Sequence, residues 1–143
     1  MARISGHKKN TVMVFGTFDV LHSGHLNLFC QAKKFGQALI VVIARDRTSR
    51  RVKGHLPTHS EKDRWQLVSA LKIVDQAVLG DLTDQMKVIK KFKPDVVCLG
   101  YDQKYFIDQL RLSFPAIKTV RLKAYRPDIY KSSKLINAKI TNC

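Results

Sequence analysis

The sequence has few acidic residues and no long apolar run. Aspartate and glutamate number 11 against 26 lysines and arginines, which gives a formal net charge of +15. No apolar stretch approaches the ~20 residues that a membrane-spanning helix needs. The apolar run that follows the basic N-terminus is typical of a strand and not of a signal-peptide core. We therefore expect a cytoplasmic protein that does not associate with a membrane.

Cysteine is also scarce, with three residues in the chain. Their spacing matches no metal-binding motif, so no side chain is assigned as a metal ligand, and we expect no disulfide framework. Cys30 falls in a predicted helix and Cys98 in a predicted strand, where both are expected to behave as small buried hydrophobic residues. The role of Cys143 at the end of the chain is left open.

The excess of positive charge raises the question of nucleic-acid binding. Lysine and arginine are spread along the chain, although residues 45–53 form a dense basic run, and no RNA-binding or DNA-binding motif accompanies them. A site for substrates with several phosphates also needs positive charge. We expect nucleic acid not to be the partner, and we keep a non-catalytic basic nucleotide-binding or RNA-binding module as an alternative.

The order of apolar patterns predicts the fold. A chain of 143 residues suits one domain, residues 1–143, of which residues 1–10 are expected to form a flexible basic N-terminus. Strand patterns lie at 11–15, 38–44, 75–79, 95–100 and 119–122, and helical patterns at 24–35, 60–71, 84–92, 105–114 and from 132 onward. The basic run up to residue 59 is predicted to be an irregular loop. This alternation predicts a single Rossmann-like α/β domain, a five-stranded parallel sheet with helices on both faces.

The segment between the first strand and the first helix carries the strongest functional signal. His22 and His25 bracket Ser23 and Gly24 there. A strand-turn-helix leaves the first N–H groups of the helix unpaired, which makes a ready site for a phosphate. Two polar residues that merely cap a helix are the competing explanation. We favour the functional one, because two histidines follow within a few residues of Gly-Thr-Phe-Asp.

Residues 16–25, GTFDVLHSGH, resemble the HxGH signature of the nucleotidyltransferase (cytidylyltransferase-like) superfamily. The resemblance implies that His22 and His25 hold the phosphates and stabilise the transition state of nucleotidyl transfer. It also implies that a divalent metal, Mg²⁺, assists and that no covalent nucleophile is needed. The remaining nucleotide-binding residues that it implies in this segment are Gly16, Thr17, Phe18, Ser23 and Gly24.

Three further residues each have two interpretations. Asp19 either serves the site or binds N–H groups in a turn, and we weigh the two evenly. Lys53 stands where relatives supply a lysine to the phosphates, or it is one more exposed basic residue. Arg64 stands where relatives carry an arginine in a Glu-x-x-Arg helix, so it faces either the acceptor phosphate or solvent.

The end of the chain resembles the Arg-Thr-x-Gly-Ile-Ser-Thr-Thr motif of the cytidylyltransferases. Arg126 and the hydroxyl pair Ser132 and Ser133 keep the motif's spacing, whereas Tyr130 and Lys131 depart from it. The resemblance implies that the two serines cap a last helix whose N-terminus binds the outer phosphates of the nucleotide.

Residues 41–46, 70–80 and 93–103 resemble archaeal FAD synthases in particular. That resemblance implies that Asp102 and Tyr125 contact ATP. Its implied activity is transfer of AMP from ATP to FMN, which gives FAD and pyrophosphate, and relatives of this kind are often homodimers. The alternative is a cytidylyltransferase that acts on glycerol 3-phosphate or on another small phosphorylated alcohol or sugar.

Overall fold

The structure is a computed structural model that describes residues 10–101, 103–104 and 106–124. Along this part of the chain the elements are β1 (Thr11–Gly16), α1 (Ser23–Lys33), β2 (Ala38–Ile43), α2 (Asp46–Lys53), α3 (Glu61–Ser69), β3 (Gln76–Leu79), α4 (Met86–Phe92), β4 (Val96–Leu99), α5 (Ile107–Ser113) and β5 (Lys118–Arg121). The predictions for residues 1–9 and for Asp102, Tyr125, Arg126, Ser132, Ser133 and Cys143 lie outside the described residues.

The five strands form one parallel sheet in the order β3-β2-β1-β4-β5. The chain builds outward from β1 to β3 on one side and then returns to add β4 and β5 on the other. The strand order therefore reverses between β1 and β4, and in such sheets ligands bind beyond the carboxyl ends of the strands at that point. The predicted fold class is confirmed.

Alternate residues of β1, the central strand, pack into two separate hydrophobic clusters, one on each face of the sheet. Val14 packs in a cluster with Phe29 of α1 and Val68 of α3. Its neighbour Met13 faces the other way, into a cluster with Ile89 of α4. Helices thus cover both faces of the sheet, and this explains why the strands are almost continuously apolar in sequence.

The basic run after β2 is helical, so the prediction of an irregular loop there is wrong. Helix α2 spans Asp46–Lys53 and ends at Gly54, whose φ of 84° closes the helix in the left-handed conformation. Glu61 accepts a hydrogen bond from the Asp46 N–H at 2.9 Å and so caps the helix start from outside. Arginine and lysine are good helix formers and favour the C-terminal turn. The sequence of this helix shows no apolar periodicity, because most of its residues are charged.

The two described cysteines differ. Cys98 is a buried free thiol, and burial raises its pKa to about 12, as expected for an inert core residue. Cys30 is disulfide-bonded, so the expectation that it is only a small hydrophobic residue is wrong. Pairing depends on proximity in the folded chain, which cysteine spacing does not reveal.

Candidate active site

A cavity of about 840 Å³ opens where the carboxyl ends of three neighbouring strands meet. Gly16 ends β1, Ala44 follows β2 and Gly100 follows β4, and all three line the cavity. The cavity thus includes the point of strand-order reversal, where the fold is expected to bind its ligands. Of the residues predicted for the site, the cavity is lined by Gly16, Thr17, Phe18, His22, Gly24, His25 and Lys53.

The two histidines form a reciprocal cap on the first turn of α1. The His22 Nδ1 accepts from the Gly24 N–H at 3.1 Å, and the His25 Nδ1 accepts from the His22 N–H at 3.2 Å. The two rings are stacked, with centroids 4.0 Å apart and planes 24° apart. The capping explanation and the functional one are therefore compatible, because capping uses only one nitrogen of each ring.

These hydrogen bonds fix the tautomer of both rings. A neutral imidazole whose Nδ1 accepts carries its proton on Nε2. Burial lowers the pKa of His22, and it lowers the pKa of His25 to about 3, helped by the nearby charges of His22 and Lys53 and opposed by Asp19. At neutral pH the ligand-free site therefore contains two neutral Nε2–H donors and no imidazolium.

The depressed pKa of His25 predicts how stability depends on pH. The unfolded chain titrates this group near 6.5 and the folded chain near 3, so the unfolded state binds more protons between those values. The stability linked to His25 is complete above pH 6.5 and is lost as the pH falls toward 3. Between pH 6.5 and 5 we expect a loss on the order of 1 kcal/mol, measured by chemical denaturation. The His25→Asn variant should show a flatter pH dependence, and an identical slope in both proteins would contradict the assignment.

Phe18 packs against His25, one member of the histidine pair. Its backbone adopts a left-handed conformation with φ of 52°, and its side chain is only 6% exposed. The ring lies against Gly16, where an added Cβ would come within 2.6 Å of the Phe18 Cζ. The same ring meets the His25 ring edge-on, with centroids 5.6 Å apart. Gly16 is thus needed for the close approach of an aromatic ring that positions His25.

Asp19 anchors a distant loop. Its two carboxylate oxygens accept from the N–H groups of Thr58 at 2.7 Å and His59 at 2.8 Å. Burial alone would raise the pKa of Asp19, but these backbone hydrogen bonds outweigh it and hold the pKa below its usual value. Asp19 therefore binds backbone N–H groups, as one of its two interpretations held. Those groups lie some 40 residues along the chain and not within its own turn.

Arg64 is fully buried beneath the site, so exposure to solvent, one of its two interpretations, is wrong. It is also not among the residues that line the cavity, where the other interpretation had it contact the acceptor phosphate. Its Nη1 donates to the carbonyls of Thr17 and Ala44, each at 2.8 Å, and its Nη2 donates to the Asp46 carboxylate at 2.7 Å. Its Nε donates to the His59 carbonyl at 3.0 Å. One guanidinium thus joins the ends of β1 and β2, the start of α2 and the loop that Asp19 holds.

Sequence reasoning missed the contribution of α2 to the cavity. Thr48, Ser49 and Val52 line it together with Lys53. The Ser49 hydroxyl lies 3.3 Å from the hydroxyl of Thr17, so α2 also contacts the turn after β1. Thr48, Ser49 and Val52 have the spacing of residues on one face of a helix. The pattern is hard to recognise in the sequence, because arginines surround these residues.

Residues 13–138 match the sequence profile of the cytidylyltransferase-like family, which is most of the chain. The chain belongs to the cytidylyltransferase-like family. The resemblance first seen in residues 16–25 is confirmed by this match, and the cavity at His22 and His25 lies within the matched residues.

Two FAD synthases are similar to this chain over most of both lengths. The FAD synthase of Thermoplasma volcanium is 41% identical over 128 residues, which cover 87% of this chain and 89% of that protein. The FAD synthase of Thermoplasma acidophilum is 40% identical over 133 residues, covering 90% and 92%. The solved structure of a lipopolysaccharide core biosynthesis protein from Thermoplasma volcanium superposes with a TM-score of 0.77 at 41% identity, covering 82% of this chain and 99% of the other.

Proposed function

We propose that this protein transfers AMP from ATP to FMN and releases FAD and pyrophosphate. The observation that carries the chemistry is the pair of stacked, neutral imidazoles at the N-terminus of α1. The choice of substrates is supported by the identity to two FAD synthases over most of both chains. The alternative, a cytidylyltransferase that acts on a small phosphorylated alcohol or sugar, would use the same histidines with a different nucleotide and acceptor.

The chain's own residues bind and orient phosphate in this reaction. The phosphate of FMN attacks the α-phosphate of ATP in line, and pyrophosphate leaves from the opposite side. The Nε2–H groups of His22 and His25 donate to oxygens of the transferring phosphoryl group, where negative charge develops. The positive end of the α1 dipole adds to this stabilisation. The capping hydrogen bonds hold both rings in place before the substrates arrive, so little reorganisation is needed during the reaction.

Lys53 is the cation that we propose for the phosphates. It is the last residue of α2 and lines the cavity, and the charge on its ammonium reaches His25, whose pKa it helps to lower. A flexible ammonium suits a phosphate whose position changes as pyrophosphate departs. The predicted contacts of Asp102, Tyr125, Arg126, Ser132 and Ser133 with the nucleotide remain predictions.

We expect Mg²⁺ to enter with the nucleotide. Within residues 10–124, apart from the undescribed positions 102 and 105, no three metal-ligating side chains come together. Mg²⁺ is commonly bound by substrate phosphates with few protein ligands, and ATP supplies such phosphates here. The ion would neutralise charge on the triphosphate.

The assembly and location of the protein remain predictions. The described chain has no helix that is both long enough and apolar enough to span a membrane. A cytoplasmic location is proposed from the sequence alone. We also propose a homodimer, because relatives of this kind are often homodimers. Light scattering of the purified protein measures the oligomeric state.

The substrates are tested by crossing two nucleotides with two acceptors. Purified protein is incubated with ATP or CTP and with FMN or glycerol 3-phosphate, in the presence of Mg²⁺, and pyrophosphate release is followed. We expect release with ATP and FMN to exceed every other combination by at least about tenfold. Preferential use of CTP and glycerol 3-phosphate would contradict the proposal in favour of the cytidylyltransferase. Binding of ATP without release in any combination would support the non-catalytic module.

A further inference from the structure

One buried hydroxyl at the cavity has no partner. Thr48 of α2 is 3% exposed and lines the cavity, and its Oγ1 makes no hydrogen bond to any group in the described part of the chain. Buried hydroxyls are nearly always hydrogen-bonded, because leaving one unpaired loses its interaction with water without replacement. An unpaired hydroxyl in a cavity wall therefore points to a missing ligand.

The usual partner of a helical threonine does not serve Thr48. A threonine inside a helix can donate to the carbonyl four residues earlier, but for Thr48 that residue is Ala44, which precedes the N-cap Arg45 of α2. The Ala44 carbonyl accepts from the Arg64 Nη1 at 2.8 Å, and no hydrogen bond joins it to Thr48. The neighbouring hydroxyl of Ser49 pairs with Thr17 and not with Thr48. The framework that builds the site thus leaves this one hydroxyl available.

Part of the wall of the cavity that Thr48 lines is aromatic and apolar. Phe15 and Val42, adjacent residues on β1 and β2, line the cavity, and the Phe106 ring meets the Phe15 ring edge-on with centroids 4.8 Å apart. Apolar walls with one hydrogen-bonding group suit a flat ring that has a polar edge. α2 follows β2, on the opposite side of β1 from β4. Thr48 therefore belongs to the β2 side of the cavity, whereas the strand-order reversal, where the nucleotide is expected, lies between β1 and β4.

We propose that Thr48 determines acceptor specificity by bonding the polar edge of a flat heteroaromatic ring. In FMN this edge is the pyrimidine part of the isoalloxazine, which alternates carbonyl acceptors with an N–H donor. A hydroxyl can serve either kind of group. Glycerol 3-phosphate has no such ring and leaves the hydroxyl unpaired, so the site discriminates against it. This inference rests on the proposed function, because it takes FMN as the acceptor.

The test compares Thr48→Val with Thr48→Ser. Valine has the shape of threonine without the hydroxyl, whereas serine keeps the hydroxyl. Binding of FMN is measured by quenching of flavin fluorescence, and the KM values for FMN and ATP are measured by pyrophosphate release. For Thr48→Val we expect the Kd and KM of FMN to rise about tenfold, equivalent to about 1.4 kcal/mol, with the KM of ATP unchanged. Thr48→Ser should stay within about twofold of the wild-type protein.

Stability without substrates supplies a second measurement. Because the hydroxyl is unpaired in the free protein, Thr48→Val should melt at the same temperature as the wild type or higher. A lower melting temperature with unchanged FMN binding would show that the hydroxyl has a structural role and would overturn the inference. Unchanged FMN binding in Thr48→Val, with wild-type protein that converts FMN, overturns the inference and leaves the proposed function standing. Wild-type protein that neither binds nor converts FMN overturns both.

Discussion

The His25→Asn variant is expected to form FAD at least about 10²-fold more slowly than the wild-type protein, because one preorganised donor to the transferring phosphoryl group is lost. Asparagine is the informative replacement. Its side-chain oxygen takes the place of Nδ1 and can still accept from the His22 N–H, the bond that His25 makes at 3.2 Å. The Nε2–H donor has no counterpart in asparagine. The kcat is measured at saturating ATP and FMN.

His22→Asn should behave in the same way and with even less effect on folding, because asparagine is among the best residues at a helix N-cap. His59→Asn is the matched control, since the side chain of His59 is not among those that line the cavity. Both active-site variants should lose no more than about 1–2 kcal/mol of unfolding free energy, measured by urea denaturation. Turnover near the wild-type value in either variant would contradict the assigned role of that histidine.

Arg64→Met is expected to destabilise the protein by roughly 3 kcal/mol or more, because each buried carbonyl left without its donor costs about 1–3 kcal/mol. The Asp46 side chain is 35% exposed, so the loss of its ion pair adds less. The replacement leaves the Asp46 carboxylate without its cation and three carbonyls, those of Thr17, Ala44 and His59, without a donor. A loss of this size is a large share of the stability of an ordinary domain. We expect the melting temperature to fall by roughly 10 °C or more.

Two further variants show whether this effect belongs to the position. Arg111→Met replaces an exposed arginine of α5 and should change the unfolding free energy by no more than about 0.5 kcal/mol. Arg64→Lys keeps the charge but not the planar fork of donors, so it should recover only part of the loss. If Arg64→Met melts within a few degrees of the wild type, the buried hydrogen-bond network is not what holds the strand ends together.

The parts of the fold that follow from local patterns could be predicted from the sequence. The three central strands, β2, β1 and β4, are apolar runs, and the alternation of strand and helical patterns sets a parallel sheet with little choice of topology. Helix α2 could not be found in this way. Its helical state depends on a cap by Glu61, which is 15 residues distant from Asp46, and on the left-handed Gly54. This segment has too few apolar residues to show a helical period.

The residues of the candidate site also divide into those that the sequence could predict and those that it could not. The histidine pair was predictable because its chemistry and its helix cap lie within four consecutive residues. Arg64 was not, because a buried arginine and an exposed one look alike in sequence, and the acceptors that decide between them come from three separate segments. The unpaired hydroxyl of Thr48 is likewise a property of the folded chain, which the sequence alone does not show.

The roles assigned to the two histidines and to FMN are tested together by product formation in wild-type protein and in the double variant His22→Asn/His25→Asn, with ATP, FMN and Mg²⁺. FAD and pyrophosphate are quantified in the same samples, and urea denaturation confirms that both proteins are folded. We expect the wild type to form FAD and pyrophosphate in equal amounts and the folded double variant to form neither at a measurable rate. Equal product formation by both proteins, or pyrophosphate without FAD from the wild type, would contradict these roles.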